Sequence, residues 1–333
     1  MNSIIIYILF VIGLVLIIKG GDMFVDSASK IAEMMKVPKF IIGATIVSVA
    51  TTLPEMTVSI QATLDKNVDM ATGNAIGSVT ANTALILGLF ITFMPFEIKR
   101  KEFSFKGIAM ISAIVSLIIG CVITSKKSLT FKGEENEYYF LSALGVTLLI
   151  IVFTFFFFEN IKCMKEKSNE NERSKKSEAS EKIKCFFIFI IGAISIVVGA
   201  KMLVTYGTEI ALCLNISQRV ISVIAVAIGT SLPELATAIT ALKKKSGSLS
   251  AGNILGANII DLTLILPICS IISIINGTGE LAISVSSVMF DIMVCLGVII
   301  ITVVPTIISQ RFHRWQGILL LLSYGIYVYF VVK

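Results

Sequence analysis

The sequence predicts an all-α integral membrane protein of ten transmembrane helices, arranged as two inverted five-helix repeats. Three observations carry this reading: the hydropathy of the chain, the placement of its lysines and arginines, and a repeat of its own sequence at a fixed offset. Of 333 residues, 56% are hydrophobic and only 15% are charged, and the mean hydropathy is +0.92. A soluble domain of this size carries about 25% charged residues. The apolar residues also fall in long blocks, such as Ile4–Ile18, Ile108–Thr124, Phe140–Phe158, Cys185–Gly199, Val285–Val304 and Gly317–Val332. A run of ~20 apolar residues crosses the hydrocarbon core as a helix. The first block lacks a basic leading region and a small-residue cleavage site, and more spans follow it, so it reads as the first transmembrane helix rather than a signal peptide.

Hydropathy and breakers place the spans near residues 3–18, 40–64, 70–95, 106–125, 138–158, 185–204, 219–242, 249–274, 281–306 and 315–332. The second and third spans are interrupted by polar residues, as are the seventh and eighth. An even count puts both termini on one side, and loops 1–2, 3–4, 5–6, 7–8 and 9–10 on the other. Those five loops hold 21 of the 28 Lys and Arg residues. Cytoplasmic loops carry such an excess, so both termini are expected outside the cell membrane. The stretch 159–184 has 14 charged residues, eight basic and six acidic, and reads as a flexible cytoplasmic linker. It separates a first repeat, 1–158, from a second, 185–333.

The repeat runs at an offset of 179. Gly13 maps to Gly192, Thr51 to Thr230, Leu53-Pro54-Glu55 to Leu232-Pro233-Glu234, Gly73-Asn74 to Gly252-Asn253, Gly77 to Gly256 and Asn82 to Asp261, with no gap from Gly13 to Leu87. Five spans per half is an odd number, so the second half enters from the opposite face. Inverted repeats with a binding site at mid-membrane are typical of secondary transporters; a channel or receptor has no comparable need for two mirrored half-sites.

The six cysteines form no CxxC pair and read as unpaired core thiols. The only histidine, His313, lies in a short basic loop, which argues against His-rich metal sites and His-based nucleophilic catalysis. Asp261 is the only acid besides Glu55 and Glu234 deep in a mid-membrane motif, so an intramembrane enzyme is disfavoured. No cofactor, no nucleic acid and no obligate protein partner is expected; the partners are the lipid bilayer and ions.

Two segments concentrate the chemistry, Gly43-Ala-Thr-Ile-Val-Ser-Val-Ala-Thr-Thr-Leu-Pro-Glu55 and Ala225-Val-Ala-Ile-Gly-Thr-Ser-Leu-Pro-Glu234. Each sets a carboxylate inside an apolar span, where an ionised group costs at least ~2.5–3.5 kcal/mol and needs a partner. No Lys or Arg lies within these two segments; a cation or proton is the natural partner. Pro54 and Pro233 lack an N–H, so they are expected to free the carbonyls of Ala50 and Gly229. At helical spacing Ser48, Thr51, Thr52, Glu55 and Ser59 share a face, and Thr230, Ser231 and Glu234 repeat the pattern. Both faces offer hard oxygen, which suits calcium. The following segments, Gly73–Asn82 and Gly252–Asp261, each contain GxxxG for close helix approach and a polar row: Asn74, Ser78, Asn82 in one half, Asn253, Ala257, Asp261 in the other.

These motifs, T-[TS]-L-P-E and G-N-x-x-G-[SA], resemble the alpha-1 and alpha-2 repeats of the sodium/calcium exchanger family within the calcium/cation antiporter superfamily, of the prokaryotic type. The resemblance covers roughly 13–95 and 192–275. It implies a central site of four ion positions in a diamond. Glu55 and Glu234 would bind calcium with the main-chain oxygens of Thr51 and Thr230. Sodium would use the same glutamates with Thr52, Ser78, Ser231 and the main-chain oxygens of Ser48 and Ala227, and Asn82 and Asp261 would flank the centre. Several sodium ions would then exclude one calcium, and the first and sixth helices would slide together to alternate access. Ala257 stands where the family usually has serine, which implies weaker sodium binding. The acidic second motif of proton-coupled relatives is absent, since Ser78 and Ala257 occupy those positions; calcium/proton or potassium-dependent exchange are the alternatives.

Overall fold

The computed structural model describes residues 3–124, 126–131, 134–169, 179–213, 229–285 and 287–332. The first half runs α1 (Ser3–Met35), α2 (Lys39–Leu64), α3 (Val68–Phe93), α4 (Arg100–Val122), the hairpin β1 (Lys127–Phe131) and β2 (Glu134–Phe140), then α5 (Ala143–Asn169). The second half runs α6 (Ala179–Cys213), α7 (Leu232–Lys243), α8 (Gly247–Ile275), β3 (Ala282–Ser284), α9 (Ile292–Ser309) and α10 (Arg314–Val332). Among the described residues, eight helices are long and apolar enough to cross a membrane by length and composition. Burial follows the logic of a bilayer. Val49, Leu53, Phe155, Phe158, Ile194 and Ile308 point outward, while Ser48, Thr52, Glu55, Asn82, Glu234 and Asp261 are buried.

Three features depart from the expected layout. Helix α1 does not stop at residue 18 but continues through Lys19-Gly-Gly-Asp22 for 33 residues, roughly 50 Å at 1.5 Å per residue. The linker expected over 159–184 is helical wherever it is described, because α5 runs to Asn169 and α6 starts at Ala179; its Lys and Glu are good helix formers. A three-stranded antiparallel sheet, ordered β1-β2-β3, joins the α4–α5 and α8–α9 connections, with Phe140 paired to Ala282. Residues 138–140 and 282–284, expected as the first turns of two spans, are strands.

The sequence repeat is also a repeat of local structure. Helices α2 and α7 end at Leu64 and Lys243, and α3 and α8 begin at Val68 and Gly247, each pair at the same offset. Both ends close the same way. Lys66 and Lys245 take left-handed φ angles of 59° and 53°, and the bonds Asn67 N to Ala62 O and Ser246 N to Ala241 O are both 2.8 Å long, the wrap of a Schellman cap.

Helices α1 and α6 cross on glycines. A Cβ at Gly20 would sit 2.8 Å from Ser195 Cβ, one at Gly13 2.9 Å from Met202 Cβ, and one at Gly192 2.8 Å from the Phe24 nitrogen. The order of contact runs opposite ways along the two helices, with Gly13 beside Gly199 and Gly20 beside Gly192. Small residues here let two backbones touch where lipid gives no hydrophobic drive for helices to associate.

Candidate cation-binding site

The site lies where α2 and α3 of the first half meet α7 and α8 of the second. Helix α2 buries Ser48, Thr51, Thr52, Glu55 and Ser59 along one face, the row expected from helical spacing. Helix α7 buries Glu234, and Ser231 just before it is buried too. The polar rows of α3 (Asn74, Ser78, Asn82) and α8 (Asn253, Ala257, Asp261) are buried throughout. Thr230 is half-buried. Ala227 lies outside the described residues, as does the start of the seventh expected span, 219–228.

Two asparagines hold the halves in place. Thr51 Oγ1 donates to Asn253 Oδ1 at 3.1 Å, and Thr230 Oγ1 donates to Asn74 Oδ1 at 3.1 Å. These are the same bond made twice, once from each half. The amide end of each asparagine reaches the glutamate of its own half. Asn74 Nδ2 donates to the Glu55 carbonyl at 3.1 Å and to Ser59 Oγ at 2.9 Å. Asn253 Nδ2 donates to Thr237 Oγ1 at 3.1 Å, and Thr237 Oγ1 donates on to the Glu234 carbonyl at 2.9 Å. Each asparagine therefore sets the backbone under one carboxylate against a threonine of the other half.

Irregular backbone marks the same level. A π turn over Gly43–Val47 leads into Ser48, another over Ala81–Leu87 carries Asn82, and a third begins at Asp261. Such turns are rare and gather at functional sites, because they disturb the regular ladder of backbone bonds. The prolines differ from expectation in one half. Pro54 lies inside α2, as the freed carbonyl of Ala50 requires. Pro233 lies in the first turn of α7, which begins at Leu232 after a turn at Thr230-Ser231, so in the second half the break falls between Gly229 and Leu232 rather than inside one continuous helix.

All six carboxylate oxygens of Glu55, Glu234 and Asp261 are buried without a hydrogen-bond partner, and so are both side-chain polar atoms of Asn82 and the hydroxyl of Ser231. Among the described residues no ion pair reaches these carboxyl groups, and Glu55 interacts electrostatically with both Glu234 and Asp261. Buried charge without a partner is among the most expensive arrangements in a protein. A cation with several oxygen ligands would satisfy these groups together. Among the described residues no three His, Cys, Asp or Glu side chains close into a metal cluster, so an ion here needs hydroxyl, amide and carbonyl oxygens beside the carboxylates.

One tie between the halves has no sequence signal in the repeat. Asn258, fully buried, donates from Nδ2 to Thr83 Oγ1 at 2.8 Å. It pins α8 to the π turn next to Asn82. Its register partner is Val79 and that of Thr83 is Leu262, so a search for repeated residues passes over both.

The family model for sodium/calcium exchanger protein matches residues 5–160 and 184–333. The chain belongs to the sodium/calcium exchanger family. It is 28% identical over 346 residues to sodium/calcium exchanger MaX1 of Methanosarcina acetivorans, covering 96% of each chain. It is 31% identical over 278 residues to inner membrane protein YrbG of Escherichia coli K12, covering 80% of this chain and 79% of that one. Among solved structures it is similar to the sodium-calcium exchanger NCX_Mj soaked with 2.5 mM Na+ and 10 mM Sr2+, with a TM-score of 0.78, 27% identity, and coverage of 97% of this chain and 98% of that one. This exchanger-family chain thus matches over both halves, and the charged stretch between them is the part left unmatched.

Proposed function

We propose that the protein is a secondary antiporter that exchanges calcium for sodium across the cell membrane. The observation that carries this reading is the set of buried, unpartnered carboxylates of Glu55 and Glu234 on two register-related helices of an exchanger-family chain. Two negative charges balance one calcium or two sodium ions, and both ions prefer oxygen ligands. Calcium is bound by Glu55 and Glu234 with the main-chain oxygens of Thr51 and Thr230. Sodium takes the same glutamates with Thr52, Ser231, Ser78 and the main-chain oxygens of Ser48 and Ala227, and Asn82 and Asp261 flank the centre. Shared ligands make the two ions exclusive, and exclusion couples their fluxes.

Ten spans form two inverted repeats, 1–158 and 185–333, around the charged stretch 159–184. Several contacts support that parity. The 3–4 and 9–10 connections meet at Glu97 and Arg311. In the 7–8 connection Lys244 Nζ pairs with Asp26 at 2.7 Å and Asp22 at 3.4 Å on α1. The 4–5 and 8–9 connections share the sheet, and Tyr138 donates to Asp69 of the 2–3 connection at 3.1 Å. Odd loops touch odd and even touch even, as an alternating path requires, with the odd, Lys-rich side cytoplasmic and both termini outside. The opposed crossing of α1 and α6 supports the inversion, and their glycine seam suits a pair that slides as one body to expose the site alternately to each side.

The test is calcium-45 uptake into proteoliposomes loaded with sodium, with potassium-loaded and pH-gradient controls. Uptake that requires an outward sodium gradient is expected. Uptake driven equally by a pH gradient alone would move the protein to proton coupling and sink the sodium reading.

A further inference from the structure

The repeat register exposes an exchange of hydroxyls across the interface of the two halves. Ser48 corresponds to Ala227, and Ser78 corresponds to Ala257. Each pair has its serine in the first half. We propose that the hydroxyl of Ser48 replaces the side-chain oxygen missing at Ala257, so that Ser48 Oγ on α2, two helical turns from Glu55 on the same face, completes the oxygen shell of one sodium position. This inference rests on the sodium/calcium exchange reading and names a ligand within it.

The packing of α8 on α2 carries the argument. Gly252 of α8 lies against the Phe40 carbonyl and the Ala44 nitrogen, and Gly256, one turn on, lies against Ala44 and Ser48. A Cβ at Gly256 would sit 2.6 Å from Ser48 Oγ, so the serine hydroxyl occupies the room that the glycine leaves. Asn253, one turn before Ala257, accepts from Thr51. The stretch 253–257 of α8 therefore faces 44–51 of α2. In the register Ser78 answers to Ala257 and Thr230 to Thr51: Ser78 Oγ lies 3.4 Å from Thr230 Oγ1, beside the Thr230 bond to Asn74, and alanine at 257 has no hydroxyl to repeat that contact with Thr51. On that side the serine comes from α3, the counterpart of α8. On this side α8 offers alanine and the serine stands on the opposing helix.

The chemistry of Ser48 fits the role. It is fully buried, and its Oγ donates to the Thr45 carbonyl at 3.0 Å. That bond commits its proton and leaves the oxygen lone pairs to accept a cation. The main-chain oxygen of Ser48 already accepts from Thr52 Oγ1 at 2.6 Å, which makes the side chain the freer ligand atom. Thr45 belongs to the π turn that precedes Ser48, which fixes the hydroxyl two helical turns from Glu55, on the same face.

The experiment measures the sodium concentration for half-maximal calcium-45 uptake, together with calcium half-saturation, in the native protein and the variants Ser48→Ala, Ala257→Ser and the double variant. Ser48→Ala should raise the sodium requirement about tenfold or more, the order expected for losing one contact to a charge. In the double variant Ala257→Ser should return it to within about threefold of native, whereas Ala257→Ser alone should move it little; that non-additivity is the signature of one place filled from either helix. Native sodium dependence in Ser48→Ala, or a defect that Ala257→Ser leaves unrepaired, overturns the assignment. So does a parallel loss of calcium half-saturation, which would mark Ser48 as structural. If sodium fails to drive uptake in the native protein itself, the exchange reading falls and takes this inference with it.

Discussion

The two half-sites share a frame and differ in what they hang on it. Thr51 to Asn253 and Thr230 to Asn74 are the same 3.1 Å bond made from opposite halves, and the turns from α2 to α3 and from α7 to α8 fall at equivalent positions. The ligand-bearing positions are less alike. Asn82 answers to Asp261, Ser78 to Ala257, Ser48 to Ala227 and Ser59 to Ala238. An inverted repeat needs its frame kept in both halves, because each asparagine fastens one half to the other. In the proposed exchange the oxygens that face the centre would serve the ions jointly, so that a donor lost from one helix would be made good by a neighbour across the interface. Symmetry is held in the Asn74 and Asn253 frame and relaxed at the Asn258–Thr83 tie and at the positions proposed to meet the ions.

The largest effect should come from the pair that both halves keep. Glu55→Gln and Glu234→Gln each preserve shape and remove one buried charge. Either change should weaken calcium uptake on the order of a hundredfold or more, since contacts to charged groups are worth ~1.5–3 kcal/mol and two such contacts are lost per carboxylate. Calcium-45 uptake at fixed protein density in the vesicles measures it. Native-like uptake in either variant would break the equivalence of the two glutamates and remove that residue from the site.

A smaller effect tests the frame itself. Asn74→Leu and Asn253→Leu each cut one cross-half bond, and polar contacts between membrane helices contribute about 0.6–1.7 kcal/mol. Both variants should lower the unfolding midpoint of the purified protein in detergent. Asn74→Leu should lower it further, because it also removes two direct contacts, to the Glu55 carbonyl and to Ser59 Oγ, whereas Asn253 gives up one, to Thr237, which still covers the Glu234 carbonyl. Equal shifts would show that the amide ends add nothing; a shift in one variant alone would show that the frame is not two-fold.

Much of this was readable beforehand, for identifiable reasons. The polar face of α2 is legible because Ser48, Thr51, Thr52, Glu55 and Ser59 recur at helical spacing in an otherwise apolar span. The central motifs are legible because the chain repeats them. Where repetition or hydropathy is silent, sequence reasoning fails. Lys19 and Asp22 end the apolar block in α1 without ending the helix, since hydropathy reports solvation and not backbone geometry. Tyr138–Phe140 and Ala282–Ser284 are too short for periodicity to separate strand from span; the pairing between distant connections makes them strands. Asn258 and Thr83 bond across the halves, but neither has a polar counterpart 179 residues away. The π turns over Gly43–Val47, Ala81–Leu87 and Asp261–Ile265 leave no residue-type signature.

The smallest effect lies farthest from the ions and tests whether the repeat extends into backbone energetics. Lys66 and Lys245 close α2 and α7 in the left-handed region, where a side chain crowds the following carbonyl and glycine is the usual choice. Lys66→Gly and Lys245→Gly should each raise stability by about 0.5–1 kcal/mol: relief of the left-handed strain outweighs the added freedom of glycine in the unfolded chain. The two caps have no shared partner, so the double variant should gain the sum. Denaturant or thermal unfolding in detergent, read for both single variants and the double, measures this. Gain at Lys66 with loss at Lys245 would show that Lys245 works through its charge beside Lys243 and Lys244 rather than through its backbone. The two caps would then match in geometry and differ in what holds them.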